Sequence, residues 1–480
     1  MSRASSSESA PVPRGERGEG VDAPRRLHLA ARRLAALDLA ERGLKRRPDD
    51  PVCHAWRADL LKALDLPNKI ARRGSGWPDL AEACLDPTAD IGNAAIESAA
   101  LYLAQFDPDI DDAALVGAHR AWARRHADPL DRFAHAPAPR RTLRVGYVSA
   151  DLGSHPVGRL LLSTLPRHDP SAVEIYVYSD RLTEDEITER FRVPAEAWRR
   201  TSDLDDAALA RRVRDDGIDV LVDLAGHTWG NRLLAFALKP APVQVSFLGY
   251  GATTGMTAMD MAISDPWEAP TTAHFTEAVH RLPSGRLVAP KLRSRSRAGR
   301  PVFGSLNKLG KLSPPVIALW ARLLKDVSEA HLLLQTAGLD QPWLKSLVAD
   351  AFAAHGIAEH RLDLRGAAPN GVHLETYDEI DVALDPFPFS GGMTTYEALA
   401  AGVPVVTLPG ERPLSRQTLS LLMRSGLGDL VARDEDDYVR IAAESVGRML
   451  PSSSPRVAQA RELEAAYRQL WEKRLGSRPE

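Results

Sequence analysis

The stretch Ala383 to Gly410, ALDPFPFSGGMTTYEALAAGVPVVTLPG, constrains the fold of this chain more than any other. Val382-Ala383-Leu384 closes an apolar run of strand length. Pro386, Pro388, Gly391 and Gly392 then forbid regular structure, because proline has no N–H to donate and glycine is costly to order. Thr394 or Thr395 can cap a helix, and Tyr396 to Ala401 reads as a short one stopped by Gly402. Val403 to Leu408 is a second strand of the buried type. Strand, glycine turn, helix and strand form the repeating unit of a parallel sheet. Such a unit brings free backbone N–H groups at a helix N-terminus to the carboxyl edge of the sheet, a place suited to phosphate. Many such turns bind nothing. Two adjacent glycines, with two threonines after Met393, favour the phosphate.

Composition narrows the class. A chain of 480 residues has room for about three domains. Its formal net charge is -3 and its pI about 6.6, so nothing draws it globally to nucleic acid or to a membrane. Two cysteines, Cys53 and Cys84, exclude a disulfide framework and a cysteine-rich metal site, and fit a reducing compartment. No apolar run approaches the roughly 18 residues that span a bilayer. The N-terminus lacks the apolar centre of a signal peptide. The expectation is a soluble cytoplasmic protein with no nucleic-acid or membrane partner.

The chain divides into segments. Residues 1–25 are rich in Ser, Gly, Glu, Arg and Pro without periodicity, the composition of a disordered tail. Its GERGEG lacks a flanking strand and helix and is not a nucleotide loop. Residues 26–135 read as helical. Leu27, Leu29, Ala30, Leu34, Leu37 and Leu39 mark an apolar face, Pro48 marks a turn, and Ala55, Leu60, Leu61 and Leu64 mark a second helix. That pair resembles one tetratricopeptide (TPR) repeat, and as only one copy is legible the alternative is a cap on the next domain. Residues 136–283 alternate strands (Leu143–Ser149, Val173–Tyr178, Ile218–Leu224, Val243–Leu248) with helix (Ala207–Asp216), which predicts a doubly wound parallel sheet. Residues 284–300 are basic and interrupted by Gly, Ser and Pro, as a linker is. A second α/β series fills 301–480, with a charged C-terminal helix able to pack back on the body. The fold class expected is α/β, with two Rossmann-like lobes facing across a cleft and a small all-helical TPR-like region before them.

Chemistry should sit at strand ends. The first strand runs into Asp151 and His155, and a histidine there could take or steer a proton near neutral pH. A surface histidine in a Gly/Pro turn is the competing reading. In the second lobe SLNKLGKLSPP puts Lys308 and Lys311 after the first strand, where an ammonium could hold a departing diphosphate. Solvated lysines are the commoner case. Glu397, one turn into the helix after GGMTT, could accept from two ribose hydroxyls or simply balance a helix dipole. His373 could stack on a nucleobase or cap a helix. His227, at another strand exit, is placed on the acceptor side. FLGYGATTG is one residue off the dinucleotide fingerprint and reads as a close-approach loop. The DxD pairs Asp107/Asp109, Asp109/Asp111, Asp203/Asp205 and Asp434/Asp436 lie in helical connections and read as solvated faces rather than metal ligands.

Taken together, LRVGYVSADLGSHPVGRLL, DVLVDLAGHTWGNRLLAFALKPAPVQVSFLGYGATTG, FGSLNKLGKLSP and the opening stretch continued to Arg416 resemble the catalytic region of the O-linked N-acetylglucosamine transferase family, with its bacterial SPINDLY-like members, over about residues 119–450. The resemblance implies a GT-B transferase that moves a sugar, GlcNAc from UDP-GlcNAc in the first instance, to a protein or peptide Ser/Thr hydroxyl, with inversion and without a metal or other cofactor. It implies that Lys311 stabilises the leaving diphosphate and that His155 and Asp151 lie near the sugar. It further implies a donor site from Ala368, His373, Gly391, Gly392, Met393, Thr394, Thr395, Glu397, Leu248, Gly249 and Lys308. Three departures bear on the base and sugar: Lys308 replaces a glutamine of the animal enzymes, Asn370 a lysine beside the base, and Gly392 a histidine. The alternatives are a nucleotide-sugar 2-epimerase, a transferase of GDP-fucose or UDP-glucose, and an inactive helical scaffold.

Overall fold

Runs of valine, isoleucine, leucine and tyrosine too apolar for a half-exposed strand build two all-parallel sheets, each covered on both faces. The computed structural model describes residues 22–63, 85–90, 92–136, 139–368, 372–452 and 458–476. The first sheet contains β1 (Leu143–Ser149), β2 (Val173–Ser179), β3 (Ala197–Arg200), β4 (Val220–Asp223), β5 (Val243–Ser246), β6 (Met261–Ser264) and β7 (Ala278–Arg281), in the order β3-β2-β1-β4-β5-β6-β7. The second contains β8 (Val302–Ser305), β9 (His331–Gln335), β10 (Leu362–Arg365), β11 (Val382–Leu384) and β12 (Val405–Val406), in the order β10-β9-β8-β11-β12. β3, β6 and β7 carry no apolar run long enough to stand out in the sequence.

The connecting helices obey their local chemistry. Helices α1 (Ala23–Arg46), α2 (Pro51–Ala63), α3 (Ala94–Ala104) and α4 (Asp112–His126) precede the sheets. The first lobe adds α5 (Pro156–Leu161), α6 (Glu186–Arg192), α7 (Asp206–Asp215) and α8 (Leu233–Ala237). The second adds α9 (Pro314–Asp326), α10 (Pro342–Ala353), α11 (Met393–Ala400), α12 (Gln417–Arg424), α13 (Glu435–Glu444) and α14 (Gln459–Gly476). In α9 two prolines fill the first turn, where no N–H is missed, and Val316, Ile317, Trp320, Leu323 and Leu324 line one buried face.

Three expectations change. Helix α1 starts at Ala23, capped by the Asp22 carboxylate, so the helical part begins before residue 26. It is no free-standing repeat. Leu27 and Ala31 join the main core with Leu309 and Leu312 of the second lobe, while Arg46 reaches Asp180 of the first lobe at 3.3 Å. Helix α1 therefore ties one lobe to the other. Helix α14 leaves the second lobe and docks on the first: the Tyr467 and Tyr147 hydroxyls lie 3.3 Å apart, and Glu464 accepts from the Asp169 backbone N–H at 2.8 Å. The basic segment 284–300 is no loose tether, since Arg297 pairs with Asp381 at 2.6 Å and Arg286 is buried against Glu268, Nε to Oε2 2.6 Å. Leu64, Cys84 and Asn370 lie outside the described residues.

Candidate active site

In each sheet the winding direction reverses once, between β1 and β4 in the first and between β8 and β11 in the second. A crevice opens at the carboxyl ends of such a strand pair. The loops leaving these four strands carry Asp151 and His155, His227, Asn307 to Lys311, and Asp385 to Thr395 respectively.

Lys311 occupies a single 3-10 turn, Leu309–Lys311, after β8. Its ammonium donates to the Ser390 carbonyl at 2.8 Å and to Asn307 Oδ1 at 3.1 Å. The hydroxyl of Thr394, in the first turn of α11, donates to the same Asn307 oxygen at 3.0 Å. Lys311, Asn307 and the start of α11 are thus one cluster. Burial pushes the Lys311 ammonium down to about 7, Lys308 acts the same way, and the Asp385 carboxylate opposes them. Asp385 at the end of β11 accepts from the Gly391 N–H at 2.5 Å and the Thr407 hydroxyl at 2.7 Å, and burial holds its carboxyl above the usual range. A Cβ on Gly391 would lie 2.5 Å from Thr395 Oγ1 and 3.0 Å from Asp385 Oδ1, so only glycine lets this backbone approach. The expected threonine cap is corrected. Gly392 holds the N-cap position with no side-chain cap, while Thr394 bonds Asn307 and Thr395 lies 2.8 Å from the Thr418 hydroxyl. The first N–H groups of α11 gain no side-chain cap from them.

Glu397 lies one turn along α11. Its Oε1 is 3.3 Å from His373 Nε2 and 3.6 Å from Arg159 Nη1, the latter coming from the first lobe. Burial raises its carboxyl above the usual range, against the pull of His373 and Arg159. Ala368 is half-buried on the loop after β10. Lys308 is exposed, and its ammonium donates to the Tyr102 hydroxyl of α3 at 3.2 Å.

Across the gap, His155 caps α5: its Nδ1 accepts from the Val157 N–H at 3.3 Å and lies 3.5 Å from Asp151 Oδ2. Burial lowers its pKa, with Lys308, Arg42 and Arg181 acting the same way. Leu248 has a left-handed backbone, φ 69°, a buried side chain and a carbonyl taken by Arg286. Of the pair expected around the sugar, only Gly249 keeps surface. A Cβ there would fall 1.9 Å from the Leu224 carbonyl oxygen. His227 is a correction. Its ring is wholly buried, Nε2 bonds the Thr254 carbonyl at 2.9 Å, and Nδ1 lies 2.8 Å from Ser98 Oγ of α3. It joins the helical layer to the first lobe and offers an acceptor nothing.

Sequence reasoning missed Asn307, Asp385, Ser390 and Arg159. Asn307 and Asp385 come just after the two strands flanking the switch point, and strand order would have singled them out. The DxD carboxylates act locally: Asp111, Asp205 and Asp434 cap α4, α7 and α13, and Asp107 pairs with Arg32. Among the described residues no group of three or more His, Cys, Asp or Glu is placed to hold a metal ion.

Two parallel-sheet lobes with facing switch points define a GT-B fold. The chain belongs to glycosyl transferase family 41, whose profile matches residues 124–293 and 278–462. A solved Lys-to-Met mutant of Thermobaculum terrenum O-GlcNAc transferase superposes with a TM-score of 0.79 at 35% identity, over 94% of this chain and 89% of that one. A rice (Oryza sativa subsp. japonica) protein named "Probable UDP-N-acetylglucosamine--peptide N-acetylglucosaminyltransferase SPINDLY" is 33% identical over 424 residues, 81% of this chain and 45% of its own. An Arabidopsis thaliana protein of the same descriptive name, ending in SEC, is 30% identical over 62% of this chain and 32% of its own. The chain spans less than half the length of these curated relatives.

Proposed function

We propose that the chain transfers GlcNAc from UDP-GlcNAc to a serine or threonine hydroxyl of a protein or peptide, by a single inverting displacement without a metal. The observation that carries this reading is the cluster at the second switch point, where the Lys311 ammonium meets Asn307, Ser390 and the start of α11. A diphosphate leaves readily only if positive charge meets it as the glycosidic bond breaks. Lys311 supplies a full charge and the N–H groups at Met393–Thr395 supply a helix dipole. Lys308 and Glu397 complete the donor side, the carboxylate serving the ribose and His373 with Ala368 the base.

The first-lobe crevice would take the acceptor. His155 has two uses for Nδ1. When Nδ1 accepts from Val157, the neutral ring carries its proton on Nε2 and cannot take another there. When Nδ1–H turns to Asp151, Nε2 becomes the basic nitrogen. Asp151 thus selects the tautomer that could receive the acceptor proton. The low cysteine count supports a cytoplasmic setting. The names of the relatives support the donor and the peptide acceptor. The test is a panel of UDP- and GDP-sugars with nucleoside diphosphate release as readout, then intact mass of candidate acceptors. Release from UDP-GlcNAc with a mass gain of one HexNAc is expected; release with donor alone and an isomerised sugar would replace transfer by epimerisation.

A further inference from the structure

We infer that Arg159 is a positioning residue of the donor site, supplied by the first lobe, which keeps Glu397 free to accept ribose hydroxyls. This rests on the ribose reading of Glu397. The Glu397 carboxylate is 11% exposed, so burial works against its charge. A protonated carboxyl would donate a hydrogen bond and could no longer accept from two vicinal hydroxyls. Two basic groups stand beside it. His373, on its own lobe, carries charge only in its protonated form, whereas a guanidinium is a permanent cation. The spacing matters as much as the charge. At 3.6 Å the Arg159 contact is too long for a hydrogen bond. It balances the charge while leaving lone pairs open to an incoming hydroxyl.

Arg159 is held for this task. Its Nη2 donates to Ser154 Oγ at 3.2 Å, and its backbone N–H donates to the carbonyl of His155, the N-cap of α5, at 2.9 Å. One short helix and its N-cap therefore carry both the acceptor-side histidine and the counter-charge of the ribose carboxylate. Donor affinity then depends on how closely the first lobe approaches the second, although the nucleotide sits on the second.

Calorimetry with UDP and 2′,3′-dideoxy-UDP tests this, on the wild type and on Glu397→Gln, Arg159→Ala and Arg159→Lys, each checked for an unchanged melting temperature. The wild type should prefer UDP. Arg159→Ala should weaken UDP about tenfold and leave the dideoxy nucleotide unchanged, Arg159→Lys should recover most of the loss, and donor KM should move more than kcat. Equal weakening of both nucleotides, or of neither, while Glu397→Gln still narrows the preference, overturns the role of Arg159 alone. No preference in the wild type, or none lost in Glu397→Gln, overturns the ribose reading itself.

Discussion

The ammonium of Lys311 lies 4.4 Å from the centroid of the Phe389 ring, and Phe106, just beyond α3, stacks on that ring at 5.0 Å. The group proposed to meet the leaving diphosphate is therefore steadied from the helical layer. A desolvated cation over an aromatic face is worth about 2 kcal/mol. Phe389→Leu keeps the apolar bulk and removes the ring quadrupole. It should lower kcat about tenfold with a small change in UDP affinity, read by steady-state kinetics beside calorimetry. Equal kcat in the variant would mean the ring only fills space.

Lys311→Ala tests the charge itself. Removing one preorganised electrostatic contact to a developing charge costs about 10²–10³ in kcat. Here the loss should be at the upper end, because Asn307 and Ser390 cannot supply a positive charge. Circular dichroism should be unchanged, since Lys311 makes no helix or strand hydrogen bond with its side chain. Turnover within tenfold of wild type would remove Lys311 from the mechanism.

Much of this site was legible because its residues are short-range. Lys311 comes 6 positions after β8, Thr394 and Glu397 come 10 and 13 after β11, and glycine and proline mark those loops in the sequence. Asp385 was within reach but anonymous, one of many aspartates until β11 is known to pair with β8. Arg159 and Phe106 could not be found this way. Their roles come from contacts to Glu397 and Phe389, more than 200 positions away, and those contacts exist only once the lobes are packed. His227 shows the opposite failure. It stands at a strand exit like His155, yet α3 and α4 cover it. The sequence marks residues 26–135 as helical but not where their helices dock.

His227→Ala should accordingly affect stability and not acceptor use. It would orphan the Thr254 carbonyl, at about 1–3 kcal/mol, and leave Ser98 Oγ with Asn231 Nδ2 at 3.2 Å as its remaining partner. Burial lowers the pKa of both His227 and its neighbour His119, the latter to about 4. The unfolded chain binds those protons near pH 6.5 and the folded chain does not. Stability is thus full above about pH 6.5 and is lost as the pH falls toward about 4. Urea midpoints at pH 7.5 and 5 should differ in the wild type and less in His227→Ala, whose acceptor KM should match wild type.

The proposed independence of metal is tested with EDTA. Three of the four DxD pairs contain an aspartate whose carboxylate caps a helix N-terminus, at Asp111, Asp205 and Asp434. A divalent ion would have to break those caps, at about 1 kcal/mol each. Full transfer in excess EDTA is expected, measured by nucleoside diphosphate release. Complete loss restored by manganese would return the carboxylate pairs to the reaction.

Lys311 should also report its own recharging. In the free protein burial holds its ammonium down to about 7. A bound diphosphate brings negative charge to the same spot and favours the protonated form. At pH 8 the free amine is mostly neutral and the bound one charged, so UDP binding should take up a proton. At pH 6 the amine is charged in both states and uptake should vanish. Calorimetry in buffers of different ionisation enthalpy measures this directly. The uptake should disappear in Lys311→Met, and uptake that persists there would have to be assigned to His155, Glu397 or Asp385 instead.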